Sequence, residues 1–284
     1  MQVLTAMRKS AIINGNVASY KIVRRLDQKN KLPGPRVFLV EELDSKTLRV
    51  LKSINADSPF NDSLVQELSV YMSLARSVWP VPKFLDEGVF ALNGNLWNFA
   101  VREYFQGSSL DKIETLQFSA FLWSLYVCLQ SLKEYEAGGF LHADIQPSNI
   151  LINASSRRAF CALIDPAGFK LSPEGRVASY GSVEGAGRPE YVPPEERTLL
   201  FPGRTRDVYG LGRTYLELLS GIPAIRSTDQ MLRGIQAMCQ RASGDDVRSR
   251  YQSITEMSEA FDVLRTSESG QLKDFEMRLP NNIL

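Results

Sequence analysis

The hydrophobic period of this chain changes once, at the stretch QGSSL (106–110). Before it, apolar residues mostly alternate, and a strand sends successive side chains to opposite faces. YKIVRRL (20–26), VFLVEEL (37–43), TLRVLKSI (47–54), KFLDEGVF (83–90) and LWNFAVREYF (96–105) therefore read as strands, with turns at DSKT and NGN. One segment breaks the alternation. In DSLVQELSVYMSLARSV (62–78), Leu64, Leu68, Tyr71, Met72 and Ala75 recur at helical spacing, which predicts one amphipathic helix with Met72 in the core. After the change, Phe118, Phe121, Leu122, Leu125, Leu129 and Leu132 make a helical stripe that Gly138 and Gly139 end. RDVYGLGRTYLELLS (206–220) predicts a buried helix. Ser227 with Gln230 and Ser253 with Glu256 read as capping boxes that start two more. Sheet first and helices later is an α+β order in two parts.

Composition narrows the class without naming it. The 284 residues leave room for two lobes, and 44% hydrophobic with 23% charged residues fits a soluble globular protein. A net charge of +1 argues against a nucleic-acid groove or an anionic membrane surface. The longest apolar stretch, near FSAFLWSLYVCL, is interrupted and too short to span a bilayer. MQVLTAMRKS lacks the charge-then-apolar order of a secretion signal. Cys128, Cys161 and Cys239 are scattered and odd in number, as expected of reduced, buried thiols in a cytoplasmic protein without a metal-ligand spacing. Residues 166–206, rich in Gly, Pro and Ser, read as a long ordered loop.

His142 is the only histidine, and it stands in HADIQPSNILI (142–152) ahead of an apolar β-branched run. Asp144 and Asn149 lie in the same short segment, and Asp165 ends the strand FCALID. A loop carboxylate can orient a hydroxyl, while an amide oxygen and a second carboxylate can hold a metal ion. This is the set that phosphoryl transfer needs: one group positions the nucleophile and two hold the Mg²⁺ that neutralises phosphate oxygens.

At these residues the chain resembles the protein kinases, over roughly residues 20–265. HADIQPSN is similar to the catalytic loop H-R-D-L-K-x-x-N, and IDPAG stands where D-F-G is expected. GRPEYVPPE (187–195) resembles G-T-P-E-Y-x-A-P-E, and LRVLK resembles V-A-I-K on the third strand. RDVYGLGRTYLELLSG resembles the long helix of the large lobe, and RSRYQSITEM the closing segment of bacterial Ser/Thr kinases. Each match alone is weak; their order is specific. The resemblance implies a bilobal protein kinase-like fold, with a small antiparallel β lobe carrying one helix and a larger, mainly α-helical lobe. It divides the chain into an N-terminal extension (1–19), a small lobe (20–103), a large lobe (104–265) and a tail (266–284).

ATP and Mg²⁺ are the cofactors so implied. Lys52 would hold the α- and β-phosphates, and Glu67, on the helix face bearing Val70 and Leu74, would pair with it. Val37 and Leu151 would contact the nucleotide, and Glu103, Tyr104 and Phe105 would form the hinge whose backbone recognises adenine. Asp144 would orient the acceptor hydroxyl, and Asn149 and Asp165 would bind Mg²⁺. His142 would be structural, Asp207 would brace the catalytic loop, and Glu195 would pair with Arg250.

Four departures from the family pattern stand out. LDQKNKLPGPRV replaces the glycine-rich loop with a single glycine, Gly34; Pro33 and Pro35 offer no N–H to phosphates, and Lys29 and Lys31 read as facing water. Gln146 stands for the catalytic-loop lysine and Arg188 for the threonine of G-T-P-E-Y, so Arg188 is a candidate to supply the missing cation. Ala143 replaces the arginine that receives an activation-loop phosphate, so loop phosphorylation should not be needed, and Ser172, Ser179, Tyr180 and Ser182 are not read as switches. Pro166 and Ala167 replace Phe and Gly after Asp165, which should stiffen that turn. Arg102, just before the hinge, would need a partner if buried.

The leading expectation is a Ser/Thr protein kinase acting on a protein substrate. One alternative is a pseudokinase that binds or scaffolds a protein partner, favoured by the altered loop, Gln146 and Arg188. A second is a small-molecule phosphotransferase, since HADIQPSNIL and LIDPA also resemble H-G-D-x-x-x-x-N and I-D-P of sugar and aminoglycoside kinases.

Overall fold

Alternation before residue 106 becomes one antiparallel sheet. The computed structural model describes residues 11–27, 35–58, 61–77, 79–153, 160–171, 188–197, 203–221 and 230–267. Lys29, Lys31, Pro33, Gly34, Ser172, Ser179, Tyr180, Ser182, Ser227 and the tail beyond 267 lie outside the described residues. The chain divides into two units, Met1–Ala75 with Pro82–Phe105 and Arg76–Val81 with Gln106–Leu284.

The first unit contains β1 (Ile12–Asn14), β2 (Ser19–Arg25), β3 (Arg36–Glu42), β4 (Leu48–Asn55), helix α1 (Asn61–Ser73), β5 (Phe84–Leu92) and β6 (Asn95–Glu103). The strands form a six-stranded sheet in the order β1-β2-β3-β4-β6-β5. Ile13, Tyr20, Ile22, Phe38, Val40, Leu51, Phe99 and Val101 pack together in one apolar cluster. Asn93 (φ 53°) and Gly94 (φ 79°) turn β5 into β6, the backbone of a two-residue type I′ hairpin.

Two features differ from the sequence expectation. The segment 1–19 supplies a strand: Ile13 of β1 pairs with Tyr20 of β2. The residues after β1 are tied to β5 by Asp86, which is 2% exposed. Its carboxylate accepts the N–H groups of Asn16, Val17 and Ala18 and the Tyr20 hydroxyl, each at 3.0 Å. Gly15 passes so close that a Cβ there would lie 2.1 Å from Asp86 Oδ2.

The second difference is the buried face of α1. Met72 is 62% exposed, not core, and Ala75 is exposed as well. Leu64, Glu67, Val70, Tyr71 and Leu74 are buried instead. At roughly 100° per residue, that arc centres on the carboxylate of Glu67 and leaves Met72 on the far side. Glu67 thus lies at the middle of the buried face, among Leu64, Val70, Tyr71 and Leu74.

The second unit contains β7 (Ser108–Ser109), α2 (Phe118–Ala137), β8 (Phe140–Leu141), β9 (Ile150–Asn153), β10 (Phe160–Leu163), β11 (Phe169–Lys170), α3 (Arg206–Ser220), α4 (Gln230–Ala242) and α5 (Ile254–Ser267). Two small sheets, β10-β9-β7 and β11-β8, frame the loop between β8 and β9. The α2 stripe, Phe121, Leu122, Leu125, Leu129 and Leu132, lies in the core with Val208 and Leu211 of α3 and Ile235 of α4. Gly212 lets α3 approach α4, since a Cβ there would sit 2.8 Å from the Cys239 carbonyl. At the start of α5, Ser253 Oγ accepts the Glu256 N–H (3.0 Å) as a capping box requires, but the Glu256 carboxylate takes the Gln252 N–H (2.7 Å). Glu136 of α2 caps the same end, accepting from Ile254 and Thr255.

Candidate active site

Each unit carries its own part of the candidate site. In the first, Lys52 of β4 stands directly across from Val37 of β3 and Ala100 of β6. Its neighbour Leu51 enters the apolar cluster, so strand alternation turns Lys52 the other way, toward α1. There its Nζ forms an ion pair with Glu67 Oε2. Glu67 is 3% exposed, and its second oxygen accepts the Tyr71 hydroxyl at 2.9 Å. Tyr71 follows Glu67 by one helical turn, so it fixes the carboxylate from the same helix. At the end of β6, Glu103 accepts the Lys83 N–H (3.1 Å) with its carboxylate. The buried Arg102 donates through Nη1 to the Glu103 carbonyl at 3.3 Å. Tyr104 and Phe105 are half-buried beyond it.

In the second unit the loop between β8 and β9 is wired to its surroundings by the lone histidine. The His142 ring is fully buried. Nε2 bonds the Ile164 carbonyl at 3.1 Å and Nδ1 meets the Asp144 N–H at 3.3 Å, which requires the neutral ring with its proton on Nε2. Burial pushes its pKa down to about 4. The His142 carbonyl accepts the Ala167 N–H (2.8 Å), so one residue joins the 142–149 loop to the segment that carries Asp165. His142 is a strut, and a neutral one.

Asp207, near the start of α3, accepts the N–H groups of His142 (2.8 Å) and Ala143 (2.7 Å). Burial raises its pKa to about 6, against the pull of those two bonds. Above this brace, Asp144 receives one hydrogen bond on each oxygen: Gln146 Nε2 to Oδ1 and Asn149 Nδ2 to Oδ2, both 2.7 Å. Burial pushes the Asp144 pKa up; the bonds from Asn149 and Gln146 pull it down, the charge of Asp165 raises it, and that of Arg206 lowers it. Asn149 Nδ2 also donates to the Asp144 carbonyl (2.8 Å), leaving its Oδ1 as the oxygen free of that clamp. The Asn149 carbonyl accepts the Ile164 N–H (2.9 Å), next to Asp165, whose φ is 57°. Leu151, half-buried, continues into β9.

The donor set fits Mg²⁺. No group of three or more His, Cys, Asp and Glu that could hold a metal occurs among the described residues. A carboxylate and an amide oxygen nevertheless suit an ion that keeps waters and takes its remaining ligands from phosphates.

The remaining groups separate into those held and one that is not. Glu195 grips Arg250 with two bonds, 2.6 and 2.9 Å. The Arg188 side chain is exposed and makes no hydrogen bond or ion pair among the described residues, while its carbonyl accepts the Tyr191 N–H (3.0 Å); the charge of Arg206 acts on Asp144. Arg206 pairs with Glu196 at 2.9 Å, both buried. Neither was singled out from the sequence. The doublets Glu195-Glu196 and Arg206-Asp207 were the available signal, since one member of each lay in a motif.

A small antiparallel lobe with one helix, a larger helical lobe and a loop built on His142, Asp144 and Asn149 define a protein kinase-like fold. The structure is similar to the PknI kinase domain of Mycobacterium tuberculosis, with a TM-score of 0.61 at 21% identity over 92% of this chain and 100% of that one. It is also similar to vaccinia related kinase 3, with a TM-score of 0.68 at 14% identity over 93% and 92%. No family model matches the chain. In sequence it is 26% identical over 196 residues to the Serine/threonine-protein kinase pakA of Talaromyces marneffei, covering 66% of this chain and 28% of that protein. It is 29% identical over 195 residues to the Serine/threonine-protein kinase D of Synechocystis, covering 64% and 37%. The chain thus spans well under half the length of these relatives. These likenesses are to Ser/Thr protein kinases in sequence and to protein kinase domains in fold.

Proposed function

We propose that this chain is an ATP- and Mg²⁺-dependent protein kinase that transfers the γ-phosphoryl group to Ser or Thr hydroxyls of a protein substrate. The observation that carries the reading is the clamp on Asp144. With one amide N–H on each oxygen, the carboxylate cannot rotate, and each oxygen keeps a lone pair for an incoming hydroxyl. In the transfer, the hydroxyl oxygen bonds to the γ-phosphorus as the bond from that phosphorus to the β–γ bridging oxygen breaks. ADP leaves with the electron pair, and the hydroxyl proton passes to Asp144.

Bound Mg²⁺ would neutralise the phosphate oxygens, and Asn149 Oδ1 with the Asp165 carboxylate would hold it. Lys52, steadied by Glu67, offers an ammonium to the α- and β-phosphates. Glu103, Tyr104, Phe105, Val37 and Leu151 are the candidates for the adenosine end. Arg188, exposed, is the candidate cation for the transferring phosphate, a role that Gln146, neutral and turned to Asp144, does not fill. A cytoplasmic setting agrees with three buried free thiols, Cys128, Cys161 and Cys239. Among the described residues no helix is long and apolar enough to cross a membrane.

A second reading, a scaffold of the same fold with little transfer, draws on one observation: the Arg102 side chain occupies the Glu103 carbonyl in the segment assigned to adenine. A labelled-phosphate transfer assay on wild type, Asp144→Asn and Lys52→Met tests both. Transfer lost in both variants supports the kinase. Nucleotide binding by wild type without transfer supports the scaffold.

A further inference from the structure

Two buried charges grip the catalytic loop and take no part in the chemistry above. Arg206, 3% exposed, opens α3 immediately before Asp207. Its Nε donates to the Ala143 carbonyl (2.8 Å) and its Nη1 to Glu196 Oε2 (2.9 Å). Glu196, 6% exposed, also accepts the Gly203 N–H through Oε1 (2.6 Å). Ala143 has a φ of 62°, a conformation that an L-residue adopts only when its surroundings insist. Adjacent residues of α3 supply that insistence: Asp207 takes the N–H of Ala143 and Arg206 its C=O, and the same peptide leads into Asp144.

Glu196 belongs to a different segment, the short turn Pro194–Glu196, beside the Glu195 that Arg250 holds. Arg206 is thus a rod between that turn and the residue before Asp144. A buried guanidinium keeps its place only while its counter-charge is present. If the 194–196 turn lifts away, Glu196 leaves with it, and the hold of Arg206 on the Ala143 carbonyl loosens.

We propose that Arg206 and Glu196 are a positioning pair that couples the seating of the 188–197 segment to the orientation of Asp144. A protein substrate or partner that seats this segment thereby aligns Asp144, with no phosphorylated residue involved; this rests on the phosphotransfer reading above. Seating acts on turnover and not on nucleotide binding, because Lys52 and Glu67 are outside the link.

The test compares Arg206→Met, Arg206→Lys, Glu196→Gln and the double variant Arg206→Met with Glu196→Met, reading kcat, KM for ATP, Tm and amide exchange over 141–149. Arg206→Met and Glu196→Gln are expected to lower kcat by about 100-fold, the effect of a small misplacement of a reacting group, with KM for ATP unchanged. Arg206→Lys recovers part of kcat. The double variant regains Tm, since an apolar pair replaces a buried ion pair without loss, while kcat stays low. Recovery of kcat together with Tm in the double variant overturns the proposal, because the pair then serves stability alone. If wild type transfers no phosphate, the phosphotransfer reading fails and amide exchange decides the coupling. Faster exchange at 143–145 in Glu196→Gln upholds it; a change confined to 194–206 overturns it.

Discussion

Asn149 turns its side-chain amide back onto Asp144, donating to both the carbonyl (2.8 Å) and the carboxylate (2.7 Å) of that residue. One side-chain NH₂ group thus orients Asp144, the proposed proton acceptor, and leaves the amide oxygen turned away from it. Asp144→Asn keeps the shape and removes the base, so kcat should fall by about 10²–10⁴ with little change in Tm. Asn149→Ala should lower kcat and raise the Mg²⁺ concentration needed for half-maximal rate. Steady-state rates over an Mg²⁺ series check both.

The ionisation of Asp144 is contested, and turnover should report it. Burial raises its pKa, the Asn149 and Gln146 bonds lower it, Asp165 raises it and Arg206 lowers it. Because the net shift is upward, the acid limb of the kcat profile should lie above the ordinary carboxylate range. Gln146→Leu removes one bond to the charged form, so the limb should move further up in pH. A profile identical to wild type would show that Gln146 does not stabilise the carboxylate.

His142 should make the fold sensitive to acid. Its pKa is about 4 in the fold against 6.5 for the free side chain, so the unfolded chain binds the extra proton between those values. Stability from this group is complete above about pH 6.5 and is lost as pH falls toward 4, about 3 kcal/mol in all. Asp207, raised to about 6, opposes it: the fold takes up a proton before the unfolded chain does, which adds stability as pH falls through 6. His142→Gln keeps a donor for Ile164 but cannot titrate. Urea unfolding at pH 7 and pH 5 should show the variant losing less stability on acidification than wild type.

Helix α1 offers a paired comparison. Met72 is 62% exposed and Glu67 3%. Met72→Lys should change stability by less than about 0.5 kcal/mol, as surface substitutions do. Glu67→Gln removes the charge that pairs with Lys52 and should cost about 1–3 kcal/mol and most of the turnover. Denaturant midpoints for the two variants separate these outcomes.

The Asp86 cap is the other point where one atom matters. Asp86→Ala leaves the N–H groups of Asn16, Val17 and Ala18 and the Tyr20 hydroxyl without their acceptor. A loss of at least about 2 kcal/mol is expected. Gly15→Ala should do comparable harm, since its Cβ would meet Asp86 Oδ2 at 2.1 Å. Thermal melts of both variants check this.

Much of the molecule was legible before any coordinates. Strands β2 to β6 and helices α2 and α3 lie where period and turn residues put them, because alternation and the 3.6-residue repeat express which face is buried. Asp144, Asn149 and Asp165 were singled out for another reason: phosphoryl transfer, the proposed chemistry, demands those functional groups in that order, so type and spacing carry the expectation. β1 escaped notice because three residues give too short a period to read. Met72 was assigned to the core because it falls at helical spacing, yet the buried face of α1 centres on Glu67 and leaves it outside.

By itself the sequence determined the α+β order and the position of most elements, and it named the groups on which the phosphoryl-transfer proposal rests. Those depend on local pattern, which side-chain periodicity writes directly into the chain. Only the tertiary structure decided which groups the His142 ring bonds and that it is neutral, that Asp86 closes the β1–β2 loop onto β5, and that Arg206 and Glu196 are buried partners 10 residues apart. On paper a charged residue reads as solvated surface. Its burial and its partner are set by which distant segments pack around it, and no one-dimensional pattern records that.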